Sequence, residues 1–472
     1  MNILLLLILI PLLGACFTIW ARDDKHYSVE NIRNVSVWVM LTELGAILYA
    51  SSLLNVEKTG IQLVEKYHWL DFPEVDVLLG ADTFAMLLLL GINISFLISN
   101  MFLVQTDRPK TLLSSELIFI CLLNGYILAA DIISFYIFFA AAGIPLIILV
   151  SAYGGLRKKN ALVRFSIYNL VGALLLLTAI MIIYSYKSNN IPLNMAGNVN
   201  LKDYTEYLVW LSIFFAFISR MPIWPFHYWI SSINATQRNP LVFFIGTLIP
   251  LIGLYGFMRF WPNTVPQTIA VYAPVFEVIS VITMLVIALT GLSHKDFRYK
   301  LFAYATIYYL LYLIGVFLPT GSLKMNIGYS LFTSIIIITV LSFLISHIEE
   351  EKRKQNLYHN NGILCYMPRT SVCLSLFILA GIGLPVTPLF WNNFIIISEI
   401  LNYNLILGIF VMASIFIVAI TLLEELYKMK DKSAAAKVCS IEMDLSKSEF
   451  MISVGCLIIL FLSFIKPLWF VF

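Results

Sequence analysis

Charge is scarce in this sequence. Only 12% of its 472 residues are Asp, Glu, Lys or Arg, where a soluble globular chain carries roughly a quarter. There is too little polar surface to cover a water-soluble body of this size. Paired cysteines are missing as well. Cys16, Cys121, Cys365, Cys373, Cys439 and Cys456 are scattered without a C-x-x-C pair, so neither a zinc site nor an iron–sulfur cluster is indicated. They read as small apolar fillers. The chain has no Gly-rich phosphate loop, no HExxH and no basic nucleic-acid patch, which leaves nucleotide, metalloprotease and nucleic-acid functions without support. No cofactor and no metal are implied, no catalytic chemistry of the chain's own is indicated, and the energy for any ion movement comes from elsewhere.

What the sequence has in excess is apolar length. Hydrophobic residues make up 60% of it and its mean hydropathy is +0.89, so its solvent is the lipid bilayer. Apolar runs of about 20 residues, the length that crosses a bilayer, fall at 2–20, 34–54, 80–104, 111–129, 131–153, 162–186, 206–232, 239–260, 268–293, 300–319, 326–347, 370–402, 404–426 and 448–470. The pattern predicts an all-α membrane protein of about fourteen transmembrane helices. The first run resembles a signal peptide, but without a basic leading region it reads as a retained span.

The basic residues test the count. Connections after odd-numbered spans carry Arg22, Arg33, Arg108, Arg157, Lys158, Arg238, Lys295, Arg298, Lys300, Lys352, Lys354, Arg369 and Lys428 among others, whereas those after even-numbered spans carry Lys58, Lys66, Lys187, Lys202 and Lys324. One missed or invented helix in mid-chain would scramble this asymmetry. By the positive-inside rule the odd connections are cytoplasmic and both termini lie on the non-cytoplasmic side, as expected of a bacterial inner-membrane protein.

Two spans carry the same interruption. Pro222-Ile223-Trp224-Pro225 lies in the seventh and Pro385-Val386-Thr387-Pro388 in the twelfth, and each proline removes a backbone donor and crowds the preceding turn. Discontinuous helices at corresponding places in two halves point to an internal repeat with ion sites at the breaks. The expected division is 1–110 for helices one to three, 111–260 and 261–426 for two five-helix repeats, and 427–472 for a cytoplasmic loop and the last helix.

The order of short motifs resembles one family, the antiporter-like membrane subunits of proton-pumping NADH:quinone oxidoreductase and of Mrp-type cation/proton antiporters. The motifs are Leu79-Gly80-Ala81-Asp82, Ala130-Asp131 with Phe135-Tyr136-Ile137-Phe138-Phe139 and Ile144-Pro145, Gly154-Gly155 with Arg164-Phe165 and Tyr168, Met221-Pro222, and Pro225-Phe226-His227-Tyr228-Trp229. They continue through Tyr255-Gly256-Phe257-Met258-Arg259-Phe260, Lys295-Asp296-Phe297-Arg298, Leu301-Phe302-Ala303-Tyr304 and Gly383-Leu384-Pro385. The M-type subunit is nearest in pattern. The resemblance implies two inverted five-helix repeats, a central row of buried ionisable side chains that carries protons or sodium, and partner membrane subunits in a complex I-like or Mrp-like assembly. In such a row burial lowers a lysine's pKa and a nearby carboxylate raises it again, so their coupling loads and unloads a proton.

This chain departs from that row. The fifth-span acid falls on Ala140, the eighth-span lysine on Leu251, the tenth-span histidine on Tyr309, the eleventh-span histidine near Ile335, and the twelfth-span acid or lysine on Asn393. The seventh-span lysine is Arg220, which cannot release a proton because its pKa stays above about 12. The ionisable residues inside predicted spans are Glu43, Asp82, Glu116, Asp131, Arg164, Arg220, His227, Arg259, Glu277 and Glu399. Each costs on the order of 3 kcal/mol in a membrane span. Asp82, Asp131, Glu277 and Arg259 lie near span ends and are expected to reach the interface. Arg220 is expected to use carbonyls exposed by Pro222 and Pro225. Two readings stay open: a translocator rewired through Arg164, Arg220, His227 and Glu399, with Asp131 a further candidate, and a degenerate paralogue that serves as a scaffold.

Overall fold

The computed structural model describes residues 2–20, 28–55, 60–70, 75–103, 108–155, 158–186, 203–234, 239–264, 266–319, 323–354, 362–430 and 444–465. Arg22, Lys58, Arg157, Lys187, Lys202, Arg238 and Cys439, weighed above, lie outside them. Seventeen helices are present among the described residues: α1 Ile3–Trp20, α2 Ser28–Ser52, α3 Thr83–Met101, α4 Pro109–Leu128, α5 Ile132–Ala141, α6 Ile144–Tyr153, α7 Lys158–Tyr186, α8 Asp203–Ile218 and α9 Tyr228–Asn234. They continue with α10 Pro240–Thr264, α11 Pro266–Ser293, α12 Phe297–Phe317, α13 Lys324–Lys354, α14 Pro368–Ile382, α15 Pro388–Tyr403, α16 Leu405–Lys430 and α17 Lys447–Ile465. Joined as α5/α6, α8/α9 and α14/α15 they match the fourteen predicted runs in order, and eleven stretches are long and apolar enough to span a membrane. A helix satisfies its backbone polar groups within itself, which is why such runs adopt it in lipid.

Both predicted discontinuities are present. α8 stops at Ile218 before Pro222 and Pro225, and α14 stops at Ile382 where Gly383 takes φ +93°, a left-handed conformation that suits glycine as a helix terminator. A third break was not expected from the sequence. The fifth span divides at Gly143, next to Pro145, and a side chain at Gly143 would run into Asn169 of α7. Residues 427–430, expected to open the cytoplasmic loop, are the last turn of α16.

The sequence reading also placed no strand. Leu63–Leu70 (β1) and Val75–Ala81 (β2) form an antiparallel hairpin between α2 and α3. Its Glu65 carboxylate accepts from the backbone N–H groups of Leu4 and Leu5 at 3.0 and 3.1 Å, satisfying orphan donors at the start of α1. On the other edge Ala130 donates to the Leu78 carbonyl at 2.8 Å. The hairpin thus ties α1 to the α4/α5 junction.

Lys66 and His68 on β1 meet Asp76 on β2 at 2.7 and 2.9 Å, and these contacts, the Lys66 hydrogen bond foremost, hold the Asp76 carboxyl below the usual carboxylate range. A depressed carboxylate stabilises the fold above its unfolded value near 4 and stops doing so as pH falls through the lower folded value. Acidification through that window therefore loosens the hairpin, and Asp76→Asn loosens it at every pH. Hydrogen-exchange mass spectrometry over 63–81, corrected for intrinsic exchange, reads this; equal protection in both proteins at neutral pH contradicts it.

Long-range contacts at the helix ends respect the alternation of sides. Arg33 in the first turns of α2 donates to the Leu103 carbonyl just past the end of α3, Tyr153 to the Arg108 carbonyl, and Arg298 pairs with Glu349. On the opposite face, Lys324 and Arg259 meet at Asp82. The core lies along α10, α12 and α13: the Pro240–Phe260 stretch of α10 is wholly buried, while α2 and α7 leave most of their surface facing outward.

Candidate ion-translocation site

The break after α8 is the centre of the expected path. α8 is brought against α10 by two glycines that lack the bulk to hold it off: a Cβ on Gly253 would stand 2.7 Å from the Phe217 carbonyl oxygen, and one on Gly256 would meet the Phe217 ring. Arg220, in the turn that follows α8, is thereby placed wholly inside the protein. Its partner is not a carbonyl of its own span, as the sequence reading expected. Arg220 Nη2 donates to the Phe139 carbonyl at 2.9 Å, one of the last carbonyls of α5 and so without an intrahelical donor. The third break supplies this acceptor. The guanidinium also lies 4.6 Å from the centre of the Phe139 ring, a favourable cation–π arrangement in a dry site. Nε and Nη1 have no partner among the described residues.

Around it stands an aromatic shell. Phe139, Phe135, Phe217, Phe257, Phe260 and Tyr126 pack edge-on or tilted at centroid separations of 4.4–6.1 Å, and Tyr126 donates to the Ile252 carbonyl at 2.6 Å. Ala140, half-buried, follows Phe139 directly, and Leu251 is buried in α10. Neither offers charge to the guanidinium, and among the described residues no carboxylate pairs with it.

Arg164 and His227 are brought to the far side of the same break. From α7, Arg164 lies 4.3 Å from the centre of the Tyr228 ring, Phe165 packs on Trp229 at 5.0 Å and Tyr168 on Phe226 at 6.1 Å. Three neighbouring α7 residues thus clamp the 226–229 segment. His227 is half-buried between them with Nδ1 unpartnered. Glu399 is half-buried on α15, and among the described residues no hydrogen bond or ion pair links it to the α8/α9 break.

In the second half Asn393 is buried and accepts from Ser330 at 3.0 Å. Tyr309 is buried with its hydroxyl unpartnered, and Ile335 is buried in α13. Tyr308 donates to the Gly381 carbonyl at 3.1 Å and Tyr312 meets Ser334 at 2.9 Å. This half is rich in hydroxyls and has no charge at the relay positions.

Several expectations about charge at the span ends need correction. Asp82, Asp131, Glu277 and Arg259, expected to reach the interface, are all buried inside the protein. Asp131 caps α5, accepting from Ser134 N at 2.8 Å and from its hydroxyl, and accepts from Leu78 N at 2.9 Å. Arg259 forks onto Asp82 at 2.8 and 2.9 Å, and its Nε lies 2.6 Å from the Tyr255 hydroxyl. Glu277 has neither oxygen partnered. A further pair was missed: Lys300, read as part of a connection, lies in α12 and meets Glu425 of α16 at 2.6 Å with both side chains buried. Residues 125 apart in sequence carry no local signal of such a contact.

The comparisons with known proteins agree with this geometry. Residues 129–421 match the family described as NADH:quinone oxidoreductase/Mrp antiporter, TM. Among relatives, NADH-quinone oxidoreductase subunit M of Rickettsia prowazekii is 25% identical over 98% of this chain and 95% of its own, and NADH-ubiquinone oxidoreductase chain 4 of Marchantia polymorpha is 24% identical over 84% and 80%. Among solved structures, a chain of respiratory complex I from Thermus thermophilus superposes with a TM-score of 0.87 at 22% identity, covering 99% of this chain and 96% of that one. A chain of the Mrp complex from Dietzia sp. does so at 0.81 and 14% identity, over 98% of this chain and 50% of that one. The spans, the breaks and the matched residues lead to one assignment: the chain belongs to the family of antiporter-like membrane subunits shared by NADH:quinone oxidoreductase and the Mrp antiporters.

Proposed function

We propose that this chain is a subunit whose ion relay is cut and whose role in a larger membrane complex is largely structural. The observation that carries this is the setting of Arg220. A switching site couples a deprotonatable cation to a carboxylate, and here a guanidinium is held by a backbone carbonyl and a phenyl ring beside Ala140. Leu251, Tyr309, Ile335 and Asn393 extend the loss along the path. Arg164 then serves the aromatic clamp and Asp131 the cap of α5.

Proton or sodium flux in proteoliposomes of the reconstituted complex, scored beside the yield of assembled complex, tests this. Arg220→Lys is expected to leave flux nearly unchanged, because a lysine without a partner acid has nothing to switch it. Arg220→Ala is expected to reduce assembly, through the cavity and the orphaned Phe139 carbonyl. An Arg220→Ala complex that assembles fully but loses a substantial flux overturns the reading in favour of a path through Arg164, Arg220, His227 and Glu399.

The same reading gives the chain two inverted five-helix repeats, 111–260 and 261–426, supported by the paired breaks of α8/α9 and α14/α15. Both termini lie on the non-cytoplasmic side, supported by the Lys/Arg asymmetry and by Glu65, which holds the start of α1 on the hairpin side. The Rickettsia relatives support a bacterial inner membrane. A cysteine at position 158 is expected to resist an impermeant reagent applied to intact cells; labelling there reverses the topology.

A further inference from the structure

The helices ahead of the relay hold a second set of buried polar groups. Glu43 of α2, Asn93 and Asn100 of α3, and Glu116 and Asn124 of α4 are each at most 1% exposed. Asn124 Nδ2 donates to Glu43 Oε1 at 2.5 Å and to the Leu7 carbonyl of α1 at 2.8 Å. Asn100 Nδ2 donates to Ser36 Oγ at 2.8 Å, and Asn93 Nδ2 points at Met40 Sδ at 3.9 Å. The amide donors are thus turned to other partners. What remains without a donor is Glu43 Oε2, Asn93 Oδ1, Asn100 Oδ1 and both oxygens of Glu116. Two ionised carboxylates would place two negative charges in this setting with no cation paired to either among the described residues.

An excess of acceptors over donors is relieved by protons. A neutral carboxyl adds one O–H donor and keeps acceptor capacity, and neutral acids avoid the cost of burying unpaired charge. Asn93 lies beside Glu43 and Asn100 beside Glu116, close enough for the amide N–H to reach an ionised carboxylate, but a protonated carboxyl can instead donate to the amide oxygen, which has no partner among the described residues in either asparagine. We propose that Glu43 and Glu116 form a proton-binding pair in the α1–α4 unit, each a neutral acid whose hydroxyl serves a neighbouring asparagine oxygen.

A cavity of about 470 Å³ opens among Ser99, Phe102, Leu103, His347, Glu351 and Lys354, and neither acid lines it. Glu116 and Asn124, which holds Glu43, are separated by about 12 Å along α4 at 1.5 Å per residue, which sets the spacing of the two acids. The groups that face the pair are Cys121 of α4 beside Glu43, Ser36 of α2 beyond Asn100, and Arg33 of α2, whose guanidinium is turned to the Leu103 carbonyl at 3.1 Å. None of these helices bears a relay position, so the proposal does not rest on the relay's being cut and fails independently of it.

Infrared difference spectra of the complex in membranes, unchanged protein against Glu43→Gln and Glu116→Gln, test it. Gln matches the neutral acid in shape and supplies a donor in its place, so both variants are expected to assemble, and each to delete one absorption of a neutral carboxylic acid. The Glu116 band is the one that Glu116→Gln deletes. Glu116→Asp is expected to move that band without deleting it. Loss of a carboxylate absorption in place of a carboxylic acid band, or assembly by Glu116→Asp but not by Glu116→Gln, overturns the proposal. Should neither assemble, spectra of the unchanged protein carrying 13C-labelled glutamate decide: at least two neutral glutamic acid bands support the pair, and fewer than two remove it.

Discussion

Asp82→Ala is expected to abolish accumulation of the assembled protein. Asp82 performs three tasks with one carboxylate: it receives the forked guanidinium of Arg259, it accepts the Ala85 amide at 2.8 Å at the start of α3, and it meets Lys324 at 3.1 Å. Removing it leaves Arg259 buried without its counter-charge, which costs on the order of 3–5 kcal/mol for such pairs. The lost cap adds about 1 kcal/mol. The Lys324 contact adds little, because that ammonium is 41% exposed and solvent screens it. The sum approaches the 5–15 kcal/mol that holds a typical fold together.

The pattern across variants identifies the cause. Asp82→Asn keeps an N-cap oxygen but removes the charge, so it is expected to fail nearly as badly as Asp82→Ala. Arg259→Met added to Asp82→Asn removes the stranded cation and is expected to restore part of the yield on native gels, because replacing a buried pair by apolar bulk is far cheaper than breaking it. Full assembly of Asp82→Asn alone contradicts this account.

The sequence revealed most where the bilayer imposes a fixed rule. Its thickness sets the length of an apolar run, so the fourteen runs that became helices were legible, and the helix-end contacts keep the alternation that the Lys and Arg pattern predicts. Pro222 and Pro385 were legible as breaks because proline lacks the N–H that a continuing helix needs. Pro145 carries the same chemistry, yet its break went unread: it sits in the middle of the apolar 131–153 run, where nothing polar accompanies it, and the packing of Asn169 on Gly143 marks the interruption in the structure. The hairpin was hidden in a stretch judged only for membrane length, although Val64, Tyr67 and Trp69 ahead of Pro73, and Val75 and Val77 after it, are the residues a strand pair favours.

The candidate site was legible as a set of losses and not as a geometry. Ala140, Arg220 and Asn393 could be matched to motif positions, but the acceptor that Arg220 uses comes from α5, 81 residues earlier. Asp82 and Arg259 are 177 residues apart. Charge pairing over such separations follows from tertiary contact, for which one sequence has no periodicity to read. Single intramembrane acids such as Glu43 and Glu116 were recognisable as costly, while the surplus of acceptors that gives them meaning depends on where three asparagines point.

Lys300→Met is expected to be the second most damaging change, and its partner substitution to rescue it. Lys300 is 1% exposed and Glu425 6%, at 2.6 Å, joining the first turn of α12 to the last turns of α16. Without Lys300, the cation left to Glu425 among the described residues is Lys428, at 3.6 Å and 43% exposed, a contact too open to water to replace a buried ammonium. The loss is on the order of 3–5 kcal/mol, the cost of stranding one member of a buried pair. Glu425→Leu alone strands the lysine, whose flexible stem reaches water more readily than a carboxylate on two methylenes; the expected loss is smaller. Combined, Lys300→Met and Glu425→Leu fill the space with apolar bulk and are expected to recover most of the yield and melting temperature of the purified complex. A purely additive double variant, as unstable as the two losses summed, shows that each residue serves a separate contact and that the pair does not join α12 to α16.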